Sequence, residues 1–167
     1  MKKVLVFLFV AMALIGLSCK STESGVVIDG EVTQEKVEKA LEDIYDYFFA
    51  NLDLSGAQSY TVKSGDTLSE ITRTYYGNLT AVGKAGPRNG FYFPVIMLAS
   101  SNAGIVDPDK IVPGMKLTIP DLKKNLADPG ARKAIKNYLK DIAYVYNKKG
   151  KNYSETEKGL VDLANSL

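Results

Sequence analysis

The chain has 167 residues, 46% hydrophobic and 24% charged, a globular composition with length for one ordinary domain or for a small domain with helical additions. It contains no His, no Trp and a single Cys, which excludes an intramolecular disulfide, a Cys/His metal cluster and a Ser/His triad. Its formal charge is +2, far from the basic surface on which nucleic-acid affinity rests.

Lys2 and Lys3 precede an uncharged run of 14 residues, 4–17. As a helix that run is about 21 Å long, short of the roughly 30 Å hydrocarbon core of a bilayer. Residues 1–18 therefore read as a signal peptide. The run closes on Ile15-Gly16-Leu17-Ser18-Cys19, which resembles the cleavage box of a bacterial lipoprotein signal, with Gly16 and Leu17 in the reverse of the usual character. The resemblance implies cleavage before Cys19, lipidation of its thiol, and a body held stably at a membrane face of the cell envelope, facing the periplasm. Lys20 stands where an Asp retains some lipoproteins at the inner membrane, so the outer membrane is the slightly favoured expectation. Cleaved at that point the chain is formally neutral, with its charge sorted: −6 over 19–59, +1 over 60–122 and +5 over 123–167. Opposite signs at the two flanks predict that they face one another.

Residues 19–31 are mostly polar or small and read as a tether. Within 32–52, Thr33 caps a helix whose Val37, Ala40, Leu41, Ile44 and Phe48 recur at helical spacing, and residues 51–59 form a linker. Tyr60 and Val62 then alternate as in a short strand, Ser64-Gly65 turns the chain, and Asp66 or Thr67 caps a helix in which Thr67 and Glu70 form a capping box. Leu68, Ile71, Thr72 and Tyr75 share a face, and Gly77 is expected to close the helix in the left-handed conformation. Residues 78–93, with Gly83, Gly86, Pro87 and Gly90, read as an irregular loop inserted at the surface; the alternative is that Tyr92 or Phe93 adds a sugar-stacking face. Pro94 opens a second helix reaching Asn102, and 112–114 turn into a strand over 116–120 with Leu117 and Ile119 inward. Residues 128–167 are a helical extension: Asp128-Pro129 starts one helix, and Ser154 with Glu157 forms the capping box of another. The apolar stripes of the flanking helices are expected to pack on the central module or on each other.

The order is strand, helix, helix, strand: an α+β, βααβ module with a two-stranded antiparallel sheet, flanked by N- and C-terminal helices. With Tyr60-Thr-Val-Lys-Ser-Gly-Asp-Thr-Leu68 at one end and Ile111-Val-Pro-Gly-Met-Lys-Leu-Thr-Ile-Pro120 at the other, residues 60–121 resemble the LysM domain. The sequence departs from the family at Ser69, where many members carry a large aromatic, and in the long connection 78–93. The resemblance implies binding of N-acetylglucosamine-containing glycan, which for a bacterial lipoprotein is peptidoglycan. Two turns, 64–68 and 105–111, meet when the terminal strands pair. Together they can form a shallow groove whose backbone amides and small apolar pocket read an acetamido group without charge. Gly65 permits close approach of the sugar, Leu68 and Ile111 are candidates for the apolar wall, Asp66, Thr67 and Asp107 for the polar edges, and Ile105, Pro108 and Asp109 complete the glycan-binding residues expected of the two turns.

The Gly-Lys at 83–84 follows Gly77 at the wrong spacing for a phosphate loop and lacks the Ser/Thr, so no nucleotide site is expected. Carboxylate pairs that could act as glycosidase acid and base occur only as surface helix charges, without an enclosed cleft to raise one pKa, and no catalysis, cofactor or metal is expected. The leading expectation is a membrane-anchored lipoprotein that binds peptidoglycan noncovalently. The alternative is an envelope adaptor whose flanking helices recruit a protein partner, with the module as scaffold.

Overall fold

A computed structural model of the chain describes residues 22–79 and 87–167. The signal segment, Cys19 and part of the inserted loop lie outside these residues. No helix among those described is long and apolar enough to cross a membrane.

Helix α1 spans Gln34–Phe49, with Thr33 Oγ1 accepting the Lys36 amide at 3.3 Å as its cap. Strand β1 (Gln58–Thr61) pairs antiparallel with β2 (Lys116–Ile119), Tyr60 standing opposite Leu117. Between them run α2 (Leu68–Tyr76) and α3 (Phe93–Ser100), so the expected α+β order is present. After β2 come α4 (Leu122–Ala127), α5 (Pro129–Lys149, capped by Asp128) and α6 (Ser154–Ser166).

Four details depart from the sequence reading. Gly77 is right-handed (φ −57°), because the C-terminal end of α2 is closed from outside by buried Asn89, whose Nδ2 donates to the Tyr76 carbonyl at 2.7 Å, with the Gly77 and Leu79 carbonyls at 3.2 and 3.3 Å. Tyr76 rather than Tyr75 is the buried residue of that face, and its hydroxyl donates to the Pro120 carbonyl at 2.9 Å. The end of the insertion is ordered as a 3-10 turn, Pro87–Tyr92, and Tyr92 and Phe93 are both buried. Tyr92 therefore presents no sugar-stacking face: burial pushes its phenol pKa up to about 12, and its ring lies edge-on to Tyr76 at 6.4 Å. Ser154 is not a cap, since the chain enters α6 through a 3-10 turn, Lys151–Tyr153, with no side-chain cap bond.

One core joins the module to both flanks. α1 meets α5 through Tyr45 and Phe48 against Tyr138, at ring separations of 6.3 and 5.6 Å, so the flanks do face one another, through aromatic rings. Two buried phenols from these flanks reach into the module, Tyr45 donating to the Val106 carbonyl and Tyr138 to the Pro94 carbonyl, each at 2.7 Å. A buried hydroxyl needs such a partner, and these partners fix where each helix sits. The sorted charges act at the edges, where Glu38 pairs with Lys110 at 2.6 Å and Asp53 with Lys124 at 2.8 Å. Asn125 of α4 pins the linker, exchanging hydrogen bonds of 2.9 Å with the Asp53 amide and carbonyl.

Residues 23–28, expected as a tether, lie on α5. The Asp141 carboxylate, 3% exposed, accepts the Glu23 and Ser24 amides at 2.9 and 2.8 Å and the Ser24 hydroxyl at 2.7 Å. Tyr144 Oη accepts the Ile28 amide at 2.9 Å, and the Ile28 side chain enters the core.

Candidate functional site

The first turn grows out of β1. Gly65 has φ +87°, the left-handed conformation that lets the chain reverse between strand and helix. Asp66 staples that reversal, its Oδ2 accepting the Tyr60 hydroxyl at 2.7 Å and the Lys63 amide at 2.8 Å. These donors, the Lys63 amide foremost, hold the Asp66 carboxyl below the usual carboxylate range. The cap of α2 is Thr67: its Oγ1 accepts the Glu70 amide at 3.3 Å, the first half of the expected capping box, and Glu70 Oε2 returns to the Thr67 hydroxyl at 2.9 Å rather than to its backbone amide. Intrahelical acceptors begin to be used at Glu70, so the amides of Leu68 and Ser69 open the helix without partners of that kind.

The second turn is a 3-10 segment, Pro108–Lys110, capped by Asp107. Asp107 is 4% exposed: Oδ1 accepts the Asp109 amide at 3.0 Å, Oδ2 accepts Gln34 Nε2 from α1 at 2.8 Å, and Lys149 Nζ stands 3.6 Å away. Lys149, itself 9% exposed, pairs with Asp109 Oδ2 at 2.5 Å and lies over the rings of Tyr146 and Tyr153, at 5.0 and 4.6 Å. Burial, together with the neighbouring Asp109, pushes the Tyr146 phenol far up.

The two turns converge. Between them lies a groove of about 320 Å³, with Asp66, Thr67, Leu68 and Ser69 on one side and Pro108, Asp109 and Ile111 on the other. The remaining lining comes from Phe93, Tyr146 and Thr156. Six of the nine candidate site residues in the two turns therefore share one wall or the other. Gly65, Ile105 and Asp107 do not line it: Gly65 shapes the turn, Ile105 is buried in the core, and Asp107 points inward to Gln34 and Lys149. Cys19 lies outside the described residues. Phe93 does reach the groove, yet only 5% exposed and edge-on to Tyr146 at 5.9 Å, so it is floor rather than an open stacking platform. The turns also consume several of the amides expected to read a sugar. Lys63, Asp66, Asp109 and Lys110 all donate within their own turns.

What remains is a small site with acceptors at its rim, from the Asp66 and Asp109 carboxylates and the Thr67, Ser69 and Thr156 hydroxyls, over an apolar floor of Leu68, Phe93, Pro108 and Ile111. Tyr146 and Thr156 were not foreseen. Tyr146 belongs to an apolar stripe that signals burial alone, and Thr156 carries no sequence signal. No group of three or more Cys, Asp or Glu stands close enough to hold a metal ion among the described residues.

Residues 60–83 and 94–120 match the LysM domain family, and the interruption falls inside the insertion. The chain carries a LysM domain, the class of module that binds N-acetylglucosamine-containing glycans such as peptidoglycan. It is also similar to the potassium binding protein Kbp of Escherichia coli O6:H1, 30% identical over 106 residues, which is 64% of this chain and 59% of that protein. The chain thus spans less than two thirds of the length of that relative. No solved structure matches the chain.

Proposed function

We propose that this protein binds peptidoglycan noncovalently, seating an N-acetylglucosamine unit between the two turns, and that it does so as a lipoprotein anchored in the cell envelope through Cys19. The observation that carries the reading is the convergence of residues 66–69 and 108–111, far apart in the chain, on one groove with apolar floor and acceptor rim. Its volume of about 320 Å³ sits at the low end of small-ligand sites. The acetyl methyl suits the apolar floor, the sugar hydroxyls suit the Asp66 and Asp109 carboxylates, and the acetamido carbonyl suits the opening amides of α2 at Leu68 and Ser69. Asp66, its carboxyl held below the usual range by its donors, is ionised at neutral pH and serves as an acceptor for sugar hydroxyls.

The test is co-sedimentation with purified sacculi. The protein is expected in the pellet, and Ile111→Glu, which puts a charge on the half-exposed apolar wall, is expected in the supernatant while keeping the wild-type melting curve. Pelleting that withstands moderate salt is expected of a groove whose contacts are hydrogen bonds and apolar surface. Loss at moderate salt would assign the attachment to the basic C-terminal segment instead. Cys19→Ala is expected to move the protein from the detergent-requiring membrane fraction to the soluble one. Incubation with sacculi is expected to release no soluble fragments. The adaptor reading has few apolar side chains left to use, because the stripes of α1, α5 and α6 are buried in the shared core.

A further inference from the structure

Three of the residues lining the groove, Phe93, Tyr146 and Thr156, fall outside the residues that match the LysM family. The C-terminal helices reach the groove through the insertion. Gly159 of α6 packs so closely on the Phe91 ring of the 3-10 turn Pro87–Tyr92 that a Cβ there would stand 2.2 Å from it. That contact sets α6 with Thr156, nearly one turn earlier, at the groove. Behind Thr156, Tyr146 is wedged between Phe93 at 5.9 Å and Tyr153 at 5.5 Å. This end of the groove is therefore backed by packed aromatic rings. At the base of the two turns the Val62 amide donates to the Met115 carbonyl and the Gly114 amide to the Val62 carbonyl, so the starts of the two hairpin tips adjoin. There Gly65 and Val112 are exposed and nothing stands within 4 Å of a Cβ on Gly65.

From this we infer that residues 87–93 and the C-terminal helices together form a third wall that closes one end of the groove, so that the site takes the terminus of a glycan strand and not its interior. The inference rests on the glycan reading above. A closed end means that a second sugar gains contact at Tyr146 and Thr156 and that further units extend into solvent at the open end. Thr156 and Tyr146 are then the residues that set ligand length, and the turn Pro87–Tyr92 seats α6.

Calorimetric titration of the full chain with N-acetylglucosamine and its β-1,4-linked oligomers of two to five units tests this. Affinity is expected to rise about tenfold from one unit to two and to change less than about twofold beyond three. Thr156→Trp, which fills the closed end, is expected to weaken disaccharide binding about tenfold or more with the melting curve retained. In the wild-type chain the backbone amides of Tyr146 and Thr156 are expected to shift on adding trisaccharide, a readout that depends on no variant. Affinity that climbs steadily to the pentamer, silent amides at Tyr146 and Thr156, or a Thr156→Trp protein that binds as wild type would each overturn the third wall and leave the two-turn site standing. Failure of every oligomer to bind would overturn the glycan reading itself, and the wall with it.

Discussion

Lys149 is the side chain on which the second turn depends. Its ammonium is nearly out of solvent, faces two carboxylates and lies over two phenol rings. Removing one partner of a buried ion pair leaves the other charged and unpaired, which costs more than the pair itself contributes. Lys149→Met is therefore expected to destabilise the protein by about 3 kcal/mol, read as a lower urea midpoint, and to loosen the turn that carries Asp109. An unchanged midpoint would mean that Asp107 is sufficiently held by Gln34 and its own turn. Asp66 makes a different demand. Its pKa is lower folded than unfolded, so the stability it adds is fully present above the unfolded value of about 4 and is lost as pH falls through the folded value. Asp66→Asn is expected to melt lower than wild type at neutral pH, with the gap narrowing as both are titrated into acid. A gap that stays constant down to pH 2 would show that the carboxylate charge is not what holds the turn.

At the scale of elements, the end of α2 shows how a helix can be closed by a residue that follows it after a long excursion. Asn89 donates its amide to the Tyr76, Gly77 and Leu79 carbonyls, and the Tyr76 carbonyl also accepts the Leu79 amide at 3.0 Å. Asn89→Ala is expected to cost about 0.5–1.5 kcal/mol, the net worth of a hydrogen bond, since the Tyr76 carbonyl keeps the Leu79 amide. Asn89→Asp keeps the shape and sets a carboxylate against the same carbonyls, so it is expected to cost more, measured by the same urea series together with amide exchange at the end of α2. Equal effects would show that Asn89 acts by packing. This closure was illegible beforehand, because Gly77 at the end of an apolar stripe is the ordinary local signal for a helix stop, and a partner twelve positions away leaves no periodic trace. Helices α1, α2 and α5 are readable because each combines a stripe with a cap of its own, Thr33, Thr67 and Asp128; α3 is readable from Pro94 in its first turn and the strands from their alternation. Six-residue α4 is too short to show a period, and it is held by its Asp121 cap and by Asn125 contacts with the linker. In the same way the two turn walls of the groove were readable from Gly65-Asp66-Thr67 and Pro108-Asp109. The third side was not, since it is made by helices whose stripes announce burial without saying against what.

For the whole molecule, the consequence is that module and extension are one folding unit. Ile135, Tyr138, Leu139, Ile142, Val145, Tyr146, Leu160 and Leu163 of α5 and α6 are buried in the same core as Ile96, Met97 and Leu117 of the module. Each such side chain contributes about 1.5–3 kcal/mol when fully buried, against a net stability of about 5–15 kcal/mol for a domain. Ordering the two helices offsets part of that gain, but cutting them away also strips the cover from Tyr45, Phe48 and the outer face of α3, and removes the phenol that holds Pro94. A chain ending at Ala127 retains every residue of the LysM match and is nevertheless expected to lose its cooperative thermal transition and to bind a hydrophobic dye. Adding residues 128–167 as a separate polypeptide is expected to restore the transition, since the interface is largely apolar and preformed in pattern on α5. A truncated chain that melts cooperatively within a few degrees of the full one would make the extension an appendage. The groove would then have two walls and an open end.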